Sequence, residues 1–293
     1  MSSSAFALIV LAGLIHAGWN IAAKKARGDA RFAFFTSALM MLVWAPLGWW
    51  LGRAEVPLWG AREWAVVAAS GVLHVLYYVV LLRGYRKADL TVVYPLARGT
   101  GPLLSSLAAL ALLGERLSAW GAFGIAGVVG GVFLIAGGPA LLRVSPRSEA
   151  GARVKKGMFY GVLTGVFIAG YTVLDGWAVK VLLLSPILLD YMGNLLRVAL
   201  LAPVVLHDLP AARRLWRVQW RYALLVGVFS PIAYVLVLYA MREAPLSLVA
   251  PAREVSMLFA ALIGGHLLGE GDRVARVAGA FLIAAGVAAL ALG

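Results

Sequence analysis

The chain contains no cysteine. That absence excludes disulfides, thiolate nucleophiles and cysteine-ligated metal centres together. Charge is scarce as well: only 13% of the 293 residues are Asp, Glu, Lys or Arg, and the acids number 13 against 26 Lys and Arg. No phosphate-binding loop, metal-ligand helix or serine elbow occurs, so the sequence calls for no cofactor and carries no enzyme signature of these kinds. What remains is apolar. Hydrophobic residues make up 62% of the chain, whereas soluble domains are about half apolar and about a quarter charged. This composition is that of a membrane protein. A bilayer core about 30 Å thick takes about 20 apolar residues per helix, so the chain has room for roughly ten spans.

Ten apolar segments follow from hydropathy, at 5–23, 32–51, 63–83, 89–113, 119–138, 157–180, 186–206, 219–241, 245–268 and 275–292. The opening MSSSAFALIV lacks the basic region of a cleavable signal, so it reads as a retained first span. The one long polar connection, 139–156, separates five spans from five. Laying 71–95 on 227–251 matches Gly71, Val72, Tyr78, Val79, Leu82, Arg86, Ala88, Leu90, Val93 and Pro95 with identical residues. Gly, Tyr, Arg and Pro are matched along with Leu and Val, which points to an internal duplication. Because each repeat has an odd number of spans, the halves must lie in opposite orientation, the architecture of secondary transporters. The expected organisation is therefore an all-α polytopic membrane protein: a first five-helix repeat at 1–138, a cytoplasmic linker at 139–156 and a second repeat at 157–293.

The excess of basic residues has a membrane explanation. Loops after odd-numbered spans carry 18 Lys and Arg, and the opposite face carries five. This distribution makes the odd loops cytoplasmic and places both termini outside, in the plasma (bacterial inner) membrane. Basic loops face anionic lipid rather than nucleic acid.

LLGERLSAWGAFGIAGVVGGVFLI at 112–135 and LLGEGDRVARVAGAFLIAAGVAAL at 267–290 each combine a helix end at Gly-Glu, a tight turn and a glycine-rich helix. Together with HAGWNIAAKKA at 16–26, they resemble the EamA-type transporters of the drug/metabolite transporter superfamily. That resemblance implies ten spans, no ATP-driven pump, and export of amino acids or other small metabolites. The second turn departs from the pattern, with GEGDRV in place of GERLS. Drugs, sugars and nucleotide-like metabolites are the alternative solute classes. A rival reading comes from GEGD at 269–272, which matches the G-x-G-D string of intramembrane aspartyl proteases. Such a protease needs two carboxylates sharing a proton, but Asp272 falls in a polar turn and the candidate partner reads Asp190-Tyr191 rather than Tyr-Asp.

Polar groups within the spans are the candidate site. Arg98, Arg197 and Arg253 are the only basic residues outside the loops, and each costs about 2.5–3.5 kcal/mol at a helix centre. Arg98 and Arg253 are repeat mates, each 17 residues before a Gly-Glu turn (Glu115 and Glu270) and two or three residues after Pro95 or Pro251. A mid-helix proline removes a hydrogen bond, leaving the carbonyls of Thr91 and Ser247 to water or ligand. Adjacent residues on a helix point about 100° apart, so Arg253 and Glu254 each need a partner of their own. Substrate contact and an internal ion-pair network are both consistent with this pattern.

His16, Trp19 and Asn20 in span one, Tyr171 and Asp175 in span six, Tyr94 beside Pro95, and the repeat mates Tyr78 and Tyr234 complete the candidate substrate site. Aromatic rings beside amide, hydroxyl and carboxylate groups suit a small amphiphilic solute. Asp190, Asn194 and Arg197 form one stripe on span seven, read first as a structural ion pair. Glu115 and Glu270 are assigned to backbone groups of their turns. Trp44, Trp49, Trp50, Trp59 and Trp64 suit an interfacial belt. The glycines of spans five and ten permit close helix packing, within a monomer or, as the lesser use, in a weak homodimer. Glu254, Asp175, His16 and His74 are the groups able to couple transport to protons, and exchange fits equally well. The working reading is alternating access, with amino-acid export around a midplane cavity.

Overall fold

The computed structural model describes residues 1–26, 28–88, 90–135, 148–264 and 273–293. Among them are eleven α-helices and one short 3-10 turn, with no strand. The helices are α1 (Ser3–Ala26), α2 (Ala30–Glu55), α3 (Ala61–Lys87), α4 (Leu90–Leu112), α5 (Ala119–Ile135), α6 (Glu149–Lys180), α7 (Pro186–His207), α8 (Leu209–Glu243), α9 (Leu246–Ala252), α10 (Val255–Gly264) and α11 (Arg273–Leu292). The protein is an all-helical polytopic membrane protein. Among the described residues six stretches are by themselves long and apolar enough to cross a bilayer, and α5 and the last helix are shorter apolar ones.

Helix starts follow local chemistry. Asp29 accepts the Arg31 N–H at 2.8 Å before α2, Pro186 opens α7, and Asp208 accepts the Ala211 N–H at 3.0 Å before α8. These side chains and the proline answer the unpaired donors of a first helical turn. Two helices begin eight or more residues earlier than hydropathy indicates. α8 extends ten residues ahead of 219, and α6 begins at Glu149, inside the expected 139–156 linker, where Ser148 accepts the Gly151 N–H at 3.0 Å. The physical reason is that hydropathy marks where a helix enters the hydrocarbon, not where its hydrogen bonding begins.

The largest departure from the ten-segment reading is in span nine. Its helix stops at Ala252 and restarts at Val255, leaving Arg253 and Glu254 in a turn. There the Glu254 N–H bonds to the Pro251 carbonyl at 3.0 Å, and the Met257 N–H to the Glu254 carbonyl at 2.8 Å. Such three-residue spacing tightens the backbone beyond an α-helix.

Packing interleaves the two halves. α1 packs on α8 and α10, while its mate α6 packs on α3 and α4. α2 packs on α7, and α5 on α11. Each of these arrangements maps onto itself or its partner when the repeats are exchanged. The α5–α11 seam depends on glycine: a Cβ at Gly131 would lie 2.5 Å from the Gly279 carbonyl, and one at Gly286 would lie 2.7 Å from the Val128 nitrogen. Here the backbones approach as closely as small-residue packing in membranes permits. Gly130 is different, with open space where its Cβ would be.

Candidate functional site

The break in span nine brings buried charges together. Glu254 has no exposed surface; its Oε2 lies 2.9 Å from Arg98 Nε and its Oε1 lies 3.6 Å from Arg253 Nε. Arg98 Nη2 also donates to Ser256 Oγ at 2.9 Å. The expectation that Arg253 and Glu254 would need separate partners is therefore corrected. The 100° rule holds within a continuous helix, and these two residues stand outside one. The cluster holds two guanidiniums and one carboxylate, a formal charge of +1. Arg253 keeps Nε and Nη2 without a hydrogen-bond partner among the described residues, although its side chain is buried. His16 and Tyr94 lie within electrostatic reach of this cluster.

A second polar group gathers α3, α6 and α8. The Tyr234 hydroxyl donates to Asp175 Oδ2 at 2.5 Å and the Ser70 hydroxyl of α3 lies beside the same carboxylate, while Asp175 Oδ1 meets no donor at full hydrogen-bond geometry among the described residues. The His74 ring stacks on Tyr171 at 4.0 Å and meets Tyr234 edge-on at 5.5 Å. Tyr77 closes on Tyr171 at 5.7 Å. The Thr172 hydroxyl, on the same helix as Asp175, is also buried without a partner among the described residues. Two carboxylates and one guanidinium share this region, because Asp190 and Arg197 both lie within electrostatic reach of Asp175. The aromatic residues link the groups, because Tyr171 and Tyr77 also lie within reach of Arg98, and His74 within reach of Arg253.

The other candidates divide. His16 and Trp19 pack edge-on at 4.6 Å, and the Trp19 indole N–H has no hydrogen-bond partner among the described residues. The Asn20 amide donates to the His16 carbonyl at 2.8 Å, so its N–H is committed to its own helix. Tyr78 touches Tyr77 at 6.2 Å and has no ring contact with Tyr171 or Tyr234 among the described residues. Tyr77, rather than Tyr78, joins the aromatic group. Ser70, His74 and Tyr77 recur at four and three residues, one face of α3, and that spacing was the signal for them. Ser256 and Ser106 had no comparable signal. The Asp190–Arg197 ion pair does not form among the described residues. Seven residues place these groups about 10 Å apart along the helix axis. Asn194, between them, donates instead to the Ser37 carbonyl at 2.9 Å.

Two backbone expectations are also revised. The Ser247 carbonyl, which Pro251 frees, accepts the buried Ser106 hydroxyl at 2.9 Å rather than standing open. Glu115 does bond backbone N–H groups, but not those of its own turn. Its two oxygens accept Leu246 N–H and Ser247 N–H, each at 2.8 Å, at the start of α9 in the other half, with Lys180 Nζ at 3.8 Å. A carboxylate at a helix N-terminus meets both the free donors and the positive end of the helix dipole. Glu270, Asp272 and the rest of the GEGD stretch lie outside the described residues.

Two grooves lie away from these polar groups. One, of about 540 Å³, is bounded by α4 and α5 and lined almost wholly by apolar side chains. The other, of about 360 Å³, lies where α2 meets the start of α8.

Comparison with known proteins agrees with the repeat. The EamA-like transporter family matches this chain twice, over residues 3–137 and 155–292. A solved structure titled "Crystal structure of protein" is similar at 17% identity and a TM-score of 0.75, over 100% of this chain and 99% of that one. That likeness concerns the fold. No curated protein matches.

Proposed function

This chain belongs to the EamA-like transporter family, and on that premise we propose that it is a secondary transporter of small zwitterions that exports amino acids across the plasma membrane. One observation carries the reading: the buried site retains a spare donor and a spare acceptor of opposite charge. Among the described residues Arg253 Nη2 has no hydrogen-bond partner, and neither has Asp175 Oδ1. An unanswered buried polar group costs about 1–3 kcal/mol, and more when charged. An amino acid answers both, with its carboxylate on Arg253 and its ammonium on Asp175. The faces of Tyr171, Tyr77 and Tyr234 receive its apolar part and add cation–π attraction for the ammonium.

Arg98 has the other role. It holds Glu254, and so keeps the neighbouring Arg253 from collapsing onto an isolated carboxylate. Alternating access then consists of α3, α4 and α6 rocking against α8, α9, α10 and α1. α3 and α4 pack on α6, α8 and α10 pack on α1, and α9 packs chiefly on α4 at the boundary between the two sets, so the sets exchange α1 and α6 between the sequence halves 1–138 and 157–293. The basic odd loops, with the 139–156 linker, face the cytoplasm in this reading, and both termini face outward.

Counterflow in proteoliposomes with a panel of labelled amino acids tests the substrate. Wild-type protein should exchange at least one zwitterion, and Arg253→Ala should not. Folded wild-type protein that exchanges no amino acid, or that moves a neutral sugar or nucleobase instead, overturns the reading. An imposed pH gradient during the same assay separates proton coupling from exchange.

A further inference from the structure

The start of α8 carries a second feature, unrelated to the central site. Four arginines fall within its first 13 residues, at 213, 214, 217 and 221. Arg213 and Arg217 sit at the rim of the groove of about 360 Å³, whose walls include Phe35, Leu39 and Leu42 of α2 and Trp216 of α8. Leu42 is 72% exposed and Leu209, also in the wall, is 42% exposed. The groove is therefore open on its flank, towards lipid, and basic at one end.

The charge at that end is uncompensated. Arg213 and Arg217 have no ion-pair or hydrogen-bond partner among the described residues. The carboxylate nearest in sequence, Asp208, is engaged by Arg31 Nη2 at 3.2 Å and by the Ala211 N–H at 3.0 Å. Three basic residues on the opposite membrane face are engaged instead. Arg242 donates to the carbonyls of Val179 and Leu184, Lys180 donates to the Ala244 carbonyl, and Arg62 lies over the Trp177 ring at 4.9 Å. The repeat mates of Arg213 and Arg217 are Pro57 and Ala61. The pair of arginines at this rim therefore has no counterpart at the mate positions of the first half, whereas a purely structural device would be expected to recur.

We propose that this groove is a binding site for one anionic phospholipid, with an acyl chain along Phe35, Leu39 and Leu42 and the phosphate between Arg213 and Arg217. Residues four apart on a helix are neighbours, so two guanidiniums converge on one phosphate. Arginine forks match phosphate oxygens geometrically. Trp216, packed on Phe35 with ring centroids 5.1 Å apart, stands at the boundary between chain and head group, where tryptophan is favoured. Basic recesses between membrane helices are established receptors for anionic head groups.

The test measures lipid retention, independently of transport. Purified full-length protein is offered dioleoyl phosphatidylglycerol and dioleoyl phosphatidylcholine, and bound lipid is counted by native mass spectrometry. One phosphatidylglycerol should be retained in preference to phosphatidylcholine. Replacing both rim arginines, Arg213→Gln with Arg217→Gln, should weaken retention about thirtyfold, at about tenfold per 1.4 kcal/mol and about 1 kcal/mol per arginine. Arg214→Gln, which alters the neighbouring face, should leave it unchanged. Ala38→Trp, which fills the groove and keeps both charges, should also abolish retention and covers the case in which the double variant misfolds. Equal retention of phosphatidylcholine, undiminished retention by either groove variant, or full displacement by glycerol 3-phosphate lacking acyl chains would each overturn the proposal.

Discussion

Pro95 to Gly99 and Pro251 to Glu254 descend from one repeated segment, yet α4 runs through the first while the second divides α9 from α10. Both carry a proline, which cannot donate the helical hydrogen bond. Proline therefore does not account for the difference. The first half has Gly99 where the second has Glu254, and Arg follows proline by three residues in one half and by two in the other. A single buried carboxylate then serves guanidiniums from both halves. The lesson is that the repeats share the two arginines, while only the second half carries an acid beside its own. Arg98 became the holding residue, and Arg253 kept free donors.

That contrast breaks most severely if the holding pair is cut. Arg98→Ala removes the 2.9 Å partner of a fully buried Glu254, and stranding such a charge costs about 3–5 kcal/mol. Thermal unfolding in detergent should show the drop, and a variant as stable as wild type would mean that Arg253 alone compensates Glu254. A smaller loss tests the part of the molecule where the repeats are still alike. Gly131→Ala and its mate Gly286→Ala both press a methyl into backbone across the α5–α11 seam. Each should cost about 1–3 kcal/mol, and unequal melting shifts would show that the seam is also asymmetric.

Smaller again is Ser106→Ala, which leaves the Ser247 carbonyl without its hydroxyl donor. About 1 kcal/mol is expected, read as a modest shift in the same melt. Arg253→Ala should have the smallest effect on stability, under about 1 kcal/mol, because Glu254 retains Arg98 and an unsatisfied donor is removed. It should nevertheless abolish counterflow. Stability losses of similar size for Arg98→Ala and Arg253→Ala would erase the division of labour between them.

Spans and repeat were legible in the sequence because both depend on patterns that bilayer thickness and duplication impose everywhere. The candidate site was legible only in part. Arg98, Arg253, Glu254, Asp175, Tyr171 and Tyr234 announced themselves as polar groups in apolar surroundings, but their pairing did not. Reading Arg253 against Glu254 assumed helical geometry through a residue pair that leaves the helix. Glu115 was assigned to its own turn because nothing local points to Leu246, 131 residues away. Asp190 and Arg197 shared a face and lay too far apart along it. Tyr77 was overlooked for Tyr78, since repeat matching selects mates and the aromatic group selects a face of α3. Where residues meet across helices, sequence spacing carries no distance.

The seven residues of α9 make a strut about 10 Å long, pinned at one end by Glu115 and at the other by the turn that holds Glu254. A rod this short has no slack. Its outer end cannot swing without displacing the guanidinium at its inner end, so two carboxylates contributed by opposite halves of the chain are mechanically in series.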